Sequence, residues 1–308
     1  MQRIMKYKIC ITLLLLCLFQ SCFTGIESTP KITLDGSIVE AKTSFSEEQK
    51  YLSTIKNEAF NQWYKGKEFV VADSKISLIF NNANNLSDSI VGSIIKYHKY
   101  ETSISVAGTT ITNLYFTHNY DTLIYSVNAT PQEIASRKSF NIPFTIQQSV
   151  IKDVTQIMLN NTYYNITPLV YDSIGNTMNI QKFVPIKINA IKAGNHIYPI
   201  KVYYTSNNNS YWVYMTIGNE IQSTRNFETL FSLTNPRKKY PHISDNYWNA
   251  ITKNIVITGM NKEECRLALG IPNQIDRLPS NAGIIELWKF SNGNQLLFED
   301  GLLKEFRR

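Results

Sequence analysis

The sequence predicts an α+β protein. Two segments each join a helix to a small β-barrel-like set of strands, and a module of two helices and a three-stranded antiparallel sheet follows. Three observations carry this expectation. Apolar residues recur at helical spacing over Ser44–Trp63 and again over Ile146–Leu159. Each of these stretches passes into a run of short period-two segments separated by Gly, Asn and Asp. Beyond Gly259, a helix with clear start and stop signals precedes three alternating apolar runs.

In chain order, the first helix is read from Tyr51, Leu52, Ile55, Ala59 and Trp63 on one stripe, with Ser44 and Glu47 in capping-box spacing. Glu68–Ala72 and Lys75–Phe80 then read as strands, with a polar turn over Asn81–Ser89. Ile90–Tyr100, Ser103–Val106, Thr110–Phe116 and Leu123–Val127 continue the pattern. The second helix places Ile146, Val150, Ile151, Val154, Ile157 and Met158 on one side. Tyr163–Tyr171 and Phe183–Ile191 are the next strands, and Ile197–Thr205 with Tyr211–Ile217 forms a hairpin about Asn207–Asn209. The order of helix, strand, wide loop and three strands, met twice, resembles a Src-homology-type small β-barrel. The alternative is a chance likeness between two α+β segments. The segments run over 44–140 and 141–222, and a helical linker with the last module occupies 223–308.

In that module Ser244 caps a helix to about Thr252. Asn261 caps the next, with Glu264 at the capping-box position and Cys265, Ala268 and Leu269 buried, and Gly270 and Pro272 stop it. Ile284–Phe290, Gln295–Phe298 and Leu302–Phe306 are the strands, with turns at Asn292-Gly293 and Asp300-Gly301. Strand parity allows Leu287 or Trp288 to face inward but not both. Trp288 is assigned inward with Phe290 and Ile284, which leaves Glu286 as an exception at the strand's exposed end. The Gly-Met-Asn helix start, Leu269-Gly270-Ile271-Pro272 stop, Trp288-x-Phe290 strand and Leu296-x-Phe298-x-x-Gly301 hairpin resemble the SmpA/OmlA (BamE-like) lipoprotein domain over about residues 243–308. Asn261 stands where that family usually has Thr. The resemblance implies a domain for protein–protein contacts and does not reach the two β-rich segments.

The first 22 residues carry an address. Arg3, Lys6 and Lys8 precede the apolar run Ile9–Phe19, which has signal-peptide length and is too short to span a bilayer. Leu18-Phe19-Gln20-Ser21-Cys22 resembles a bacterial lipobox. That implies a signal peptide over 1–21, cleavage before Cys22, and lipidation of Cys22 as the membrane anchor. The alternative is an ordinary signal whose cleavage site contains a Cys. Residues 22–43 lack any sustained period and read as a tether. Phe23-Thr24-Gly25-Ile26-Glu27 has no Asp directly after Cys22, which by resemblance to sorting signals implies the outer membrane, facing the periplasm. Three Asp-Ser/Thr-aliphatic triplets, beginning at Asp88, Asp121 and Asp172, resemble O-glycosylation sequons of Bacteroidetes-type envelope proteins and equally suit turns.

Composition then narrows the function. With 43% hydrophobic and 18% charged residues the chain has the balance of a globular protein. The formal charge of +7 falls by three when the signal's cations are removed, too little to call for nucleic acid. Of four Cys, two lie in the signal and Cys22 carries lipid, so Cys265 has no disulfide partner. In the middle of a capped helix, it reads as a small buried hydrophobe rather than a nucleophile. His98, His118, His196 and His242 show no metal-ligand spacing, and there is no nucleophile elbow, phosphate-cradling Gly loop or HExxH. No catalytic residue, cofactor or metal is therefore assigned. Pro236-Arg-Lys-Lys-Tyr240 reads as a solvated loop, with an acidic-ligand site as the alternative. Trp212 and Tyr214 share one side of a strand and, with Trp288, are the candidate binding residues; the competing reading is packing across a sheet. The expected function is that of a non-enzymatic envelope lipoprotein acting as a scaffold or assembly accessory for a protein partner. The alternative is a cell-wall or glycan binder using the barrel-like segments.

Overall fold

The computed structural model describes residues 46–81, 90–218, 225–280 and 283–307. The signal peptide, Cys22, the tether and most of the expected Asn81–Ser89 turn lie outside the described residues. Among the described residues three antiparallel sheets follow one another along the chain, each over its own apolar core.

The first sheet contains β1 (Glu68–Val71), β2 (Ile94–Ile104), β3 (Thr110–His118), β4 (Asp121–Val127) and β5 (Thr145–Gln147), in the order β4-β3-β2-β1-β5. Alternation in β3 turns Thr112, Leu114 and Phe116 inward against Phe69, Ile95 and Leu123. The short helix α1 (Glu47–Lys50) precedes this sheet and packs beside Phe227–Leu230, and α2 (Pro131–Ala135) buries Ile134 in the first core. The expected helix over Ser44–Trp63 is not formed. Ser46 with Gln49 makes the capping box, α1 ends after one turn, and Leu52 takes a positive φ of 61°. The cause is a divided allegiance. Leu52 and Ile55 pack into the core of the second sheet, whereas Phe60 and Trp63 pack into that of the first. One helical stripe faces one way and cannot serve two cores. Lys75–Phe80 is likewise not a strand, because Asp73 caps a 3-10 turn over Ser74–Leu78.

From Gln147 the chain enters α3 (Gln148–Met158), which buries Val150, Ile151, Val154 and Met158 as its period required, while Ile157, expected on the same side, is exposed. The second sheet comprises β6 (Thr162–Asn165), β7 (Leu169–Tyr171), β8 (Thr177–Asn179), β9 (Pro185–Ala193), β10 (Ile200–Ser206), β11 (Asn209–Met215) and β12 (Phe231–Ser232). Their order is β12-β6-β9-β10-β11-β7-β8, with α4 (Phe227–Leu230) leading into β12. The Asn207-Asn208 turn joins β10 to β11 with φ of 48° and 64°, a conformation Asn tolerates.

The last sheet follows α5 (Asp245–Thr252) and α6 (Lys262–Leu269), whose Asn261–Glu264 capping box is present. It contains β13 (Gln274–Ser280), β14 (Gly283–Lys289), β15 (Gln295–Glu299) and β16 (Leu302–Arg307), in sequential order.

The α+β architecture expected from the sequence is therefore corrected to a mostly β protein. Sheets of five and seven strands with different strand orders replace the two equivalent helix-plus-barrel segments. The BamE-like module of two helices and three strands is not shown, because β13 adds a fourth strand. Its sequence, Gln-Ile-Asp-Arg-Leu-Pro-Ser, hides the strand signal, since an edge strand tolerates both the charges and Pro279.

Strand parity in β14 is also instructive. Trp288 faces inward as expected and is fully buried, while Ile284 is exposed. Glu286 is buried too, accepting from Arg277 Nε at 2.9 Å and Trp288 Nε1 at 3.1 Å, with Lys262 Nζ 3.0 Å away. Burial alone would raise its pKa, but these three donors overrule it and hold the carboxyl at about 2. A depressed folded-state pKa gives stability that is complete above the ordinary value near 4.5 and is lost as pH falls towards 2. Glu286→Gln should accordingly flatten the acid side of the stability profile. The gap between wild-type and variant urea midpoints should narrow from pH 6 to pH 3; a constant gap would contradict this role for the carboxylate.

Candidate functional site

The seven-stranded sheet has one face on its core and one face outward. Ile191, Val202 and Val213 lie opposite one another across β9, β10 and β11 and are buried, with Val170 of β7 on the same inner side. Parity then turns their neighbours outward. Ala190, Tyr203, Trp212, Tyr171 and Thr177 form one continuous cross-strand row through β9, β10, β11, β7 and β8. Lys192, Lys201 and Tyr214 form the row beside it.

Within these rows the rings touch. Tyr171 stacks on Trp212 with centroids 4.2 Å apart at 14°. Tyr214 meets Trp212 edge-on at 5.1 Å, and Tyr198 lies over Tyr214 at 6.1 Å and 25°. The Lys201 ammonium sits 3.5 Å from the Trp212 centroid and 5.2 Å from that of Tyr203, over which Lys192 also lies at 5.2 Å. These are cation–π distances, and the two rows contain no carboxylate. The arrangement offers a broad π surface with ammonium donors at its edge. It suits contact with flat or CH-rich groups and with acidic or hydrogen-bond-accepting ones.

The sequence-predicted residues fall in three places. Tyr214 is half-buried and in the outward row. Trp212 is also in that row, yet only 7% exposed, because Tyr171 and Lys201 cover it; it positions the residues around it more than it meets solvent. Trp288 belongs to the core of the last sheet and touches neither. Cys22 lies outside the described residues. Tyr171, Tyr198, Tyr203, Lys192 and Lys201 were not singled out from the sequence. Lys201 and Tyr203 share parity and flank the apolar Val202, a signal available locally, but their meeting with Trp212 depends on strand register.

Elsewhere, the chemistry is that of packing. The buried Cys265 thiol is pushed up to about 12, chiefly by burial and then by nearby Glu264, far from a reactive thiolate. His196 Nδ1 lies 2.8 Å from Asp73 and His242 Nε2 3.1 Å from Glu263. Among the described residues no group of three His, Cys, Asp or Glu is arranged to hold a metal ion, and no helix is long and apolar enough to cross a membrane. Arg237 and Lys239 of the charge run are committed locally, to Tyr240 O, Ile243 O and Asp245 and to Glu48.

No family model matches the chain, and comparison with curated proteins and with solved structures gives no match.

Proposed function

We propose that the chain is a non-enzymatic lipoprotein of the bacterial envelope, anchored to the outer membrane through Cys22 and facing the periplasm. It works by docking a protein partner on the outward face of its seven-stranded sheet. The observation that carries the docking reading is the Tyr203–Trp212–Tyr171 row with Lys192 and Lys201 beside it. Tyr and Trp supply large contact area at little cost in side-chain entropy, and they dominate binding energy at protein interfaces. Cations with no carboxylate in the same two rows favour a partner surface rich in acidic or carbonyl groups. The lipid anchor rests on the lipobox-like Leu18–Cys22.

The stacked Trp212 and Tyr171 rings also favour a second reading, the binding of cell-wall glycan, since sugar CH faces stack on such rings. Affinity recovery from detergent-extracted native membranes separates the two. Stoichiometric envelope partners should accompany the wild-type protein and fall at least tenfold with Lys201→Glu/Tyr203→Ala, whose changes lie on the half-buried outer face. Cosedimentation with purified cell wall, lost in the same double variant, would select the glycan reading. Unchanged recovery in both assays would remove the face from consideration. In the same cells Cys22→Ala should leave unlipidated precursor or soluble protein, and its normal acylation and membrane retention would overturn the anchor.

A further inference from the structure

A second site lies away from the aromatic face, where the seven-stranded sheet meets the carboxyl-terminal unit. The strap entering β9 binds the two together. Lys182 N–H donates to Thr252 O, Asn254 Nδ2 donates to Ile180 O, and Phe183 stacks on Trp248 at 5.4 Å. Beside this strap is a cavity of about 950 Å³, within the size range of small-molecule sites. Among the described residues four cations line it, Lys182, Lys253, Arg266 and Arg307, and none of the lining residues is an Asp or Glu.

Lys182 is the informative member. It is 6% exposed, yet no carboxylate pairs with it among the described residues. Its ammonium donates to Leu267 O and Ala268 O at the end of α6, which uses two of three donors. Carbonyl dipoles at a helix C-terminus ease a positive charge but do not neutralise it. Buried charges are ordinarily paired, because an unpaired one sacrifices its hydration. Consistent with that, burial lowers the Lys182 pKa to about 8, with no opposing contribution from any acid. Lys253, Arg266 and Arg307 have no acidic partner among the described residues either, and all three are exposed at the cavity. The Arg266 guanidinium carbon lies 4.9 Å from the Trp288 ring centroid, a cation–π contact that holds the group in place without consuming its N–H groups. Asn254, also in the lining, has a buried Oδ1 with no hydrogen-bond partner. That atom can accept from a hydroxyl or N–H.

We infer that this cavity binds a small organic anion bearing carboxylate or phosphate groups, with Lys182 as the buried counter-charge and Arg266 and Lys253 as the arms that close on it. The paired N–H groups of a guanidinium match either oxyanion. The site shares no lining residue with the two aromatic rows and does not depend on the docking reading.

Citrate and inorganic pyrophosphate are the probes, titrated into detergent-solubilised full-length protein by calorimetry, with sodium chloride at matched ionic strength as the control. At least one probe should bind one to one with a Kd at or below about 1 mM, where chloride gives no heat. A response to citrate alone assigns the ligand to carboxylates, and a response to pyrophosphate alone to phosphates. Lys182→Met should weaken binding at least tenfold. Because Lys182 also helps to join two parts of the fold, Arg266→Gln/Lys253→Gln provides the second test, and it should weaken binding at least fivefold. Lys201→Glu on the other face should leave it unchanged. Absence of binding by both probes would overturn the inference, as would binding that survives both sets of cavity substitutions.

Discussion

Trp288→Ala should destabilise the folded chain by about 3–5 kcal/mol, the range for removing a fully buried large aromatic side chain. Trp288 centres the last core, with Phe298 tilted against it at 4.6 Å and Cys265, Leu296 and Leu303 in the same cluster. The cavity accounts for most of the loss. A smaller share comes from the Nε1 donor to Glu286, whose carboxylate keeps Arg277 and Lys262 as partners. Trp288→Phe separates the two effects. It keeps much of the ring and removes the donor, so about 1–2 kcal/mol should be lost. Equilibrium urea denaturation of full-length protein, followed by far-ultraviolet circular dichroism, measures both. A Trp288→Ala cost below about 0.5 kcal/mol would be incompatible with a buried Trp288.

That assignment shows how far a sequence reaches. Parity narrowed the choice to Leu287 or Trp288, and the apolar residues Phe290 and Ile284 at the same parity selected Trp288. The same parity did not carry to Ile284, which is exposed, and the exception made for Glu286 did not hold. Glu286 looked like a surface residue and is buried, since the three donors that compensate it come from α6, β13 and Trp288 itself. No local pattern announces a carboxylate whose partners are brought in by two other elements. The Asn261–Glu264 cap, α3 and the Asn207-Asn208 hairpin were legible for the opposite reason, as each is decided by residues within a turn or two of one another.

The first helix failed on a matter of destination. Its stripe over Tyr51–Trp63 is regular, yet its members divide between two cores. Tertiary packing overrode a favourable local pattern. The binding face shows the same limit. Trp212 and Tyr214 were visible as a pair two residues apart, but Tyr203 and Tyr171 join them only through pairing of β10 with β11 and of β11 with β7. The sheet order puts sequence-distant strands side by side, β11 next to β7, and periodicity has no access to that order.

At the junction between the first two sheets, an unequal ion pair predicts unequal mutants. Lys67 is buried, with its side chain 3% exposed, and its ammonium lies 2.7 Å from Glu58 Oε2 and 3.4 Å from Ser149 Oγ. Glu58 is 31% exposed. Burial would raise the Glu58 pKa, but the bonds from Lys67 and Ser149 outweigh it and lower it. The two ends of the pair therefore have different escapes. If Lys67 is replaced by Met, the Glu58 carboxylate can turn to water, and an apolar chain of similar length fills the Lys67 channel beside Phe69. The net cost should be about 1 kcal/mol or less, as when buried pairs are exchanged for packed hydrophobic groups. If Glu58 is replaced by Gln, the ammonium stays buried with only neutral partners, and the cost should be about 3 kcal/mol, near the lower end for an uncompensated buried charge. Adding Lys67→Met to Glu58→Gln should then recover most of that loss, a coupling of about 3 kcal/mol in a double-mutant cycle read by urea denaturation. Equal costs for the two single variants would mean that Lys67 reaches water when Glu58 is gone, and that the charge is not confined at this junction.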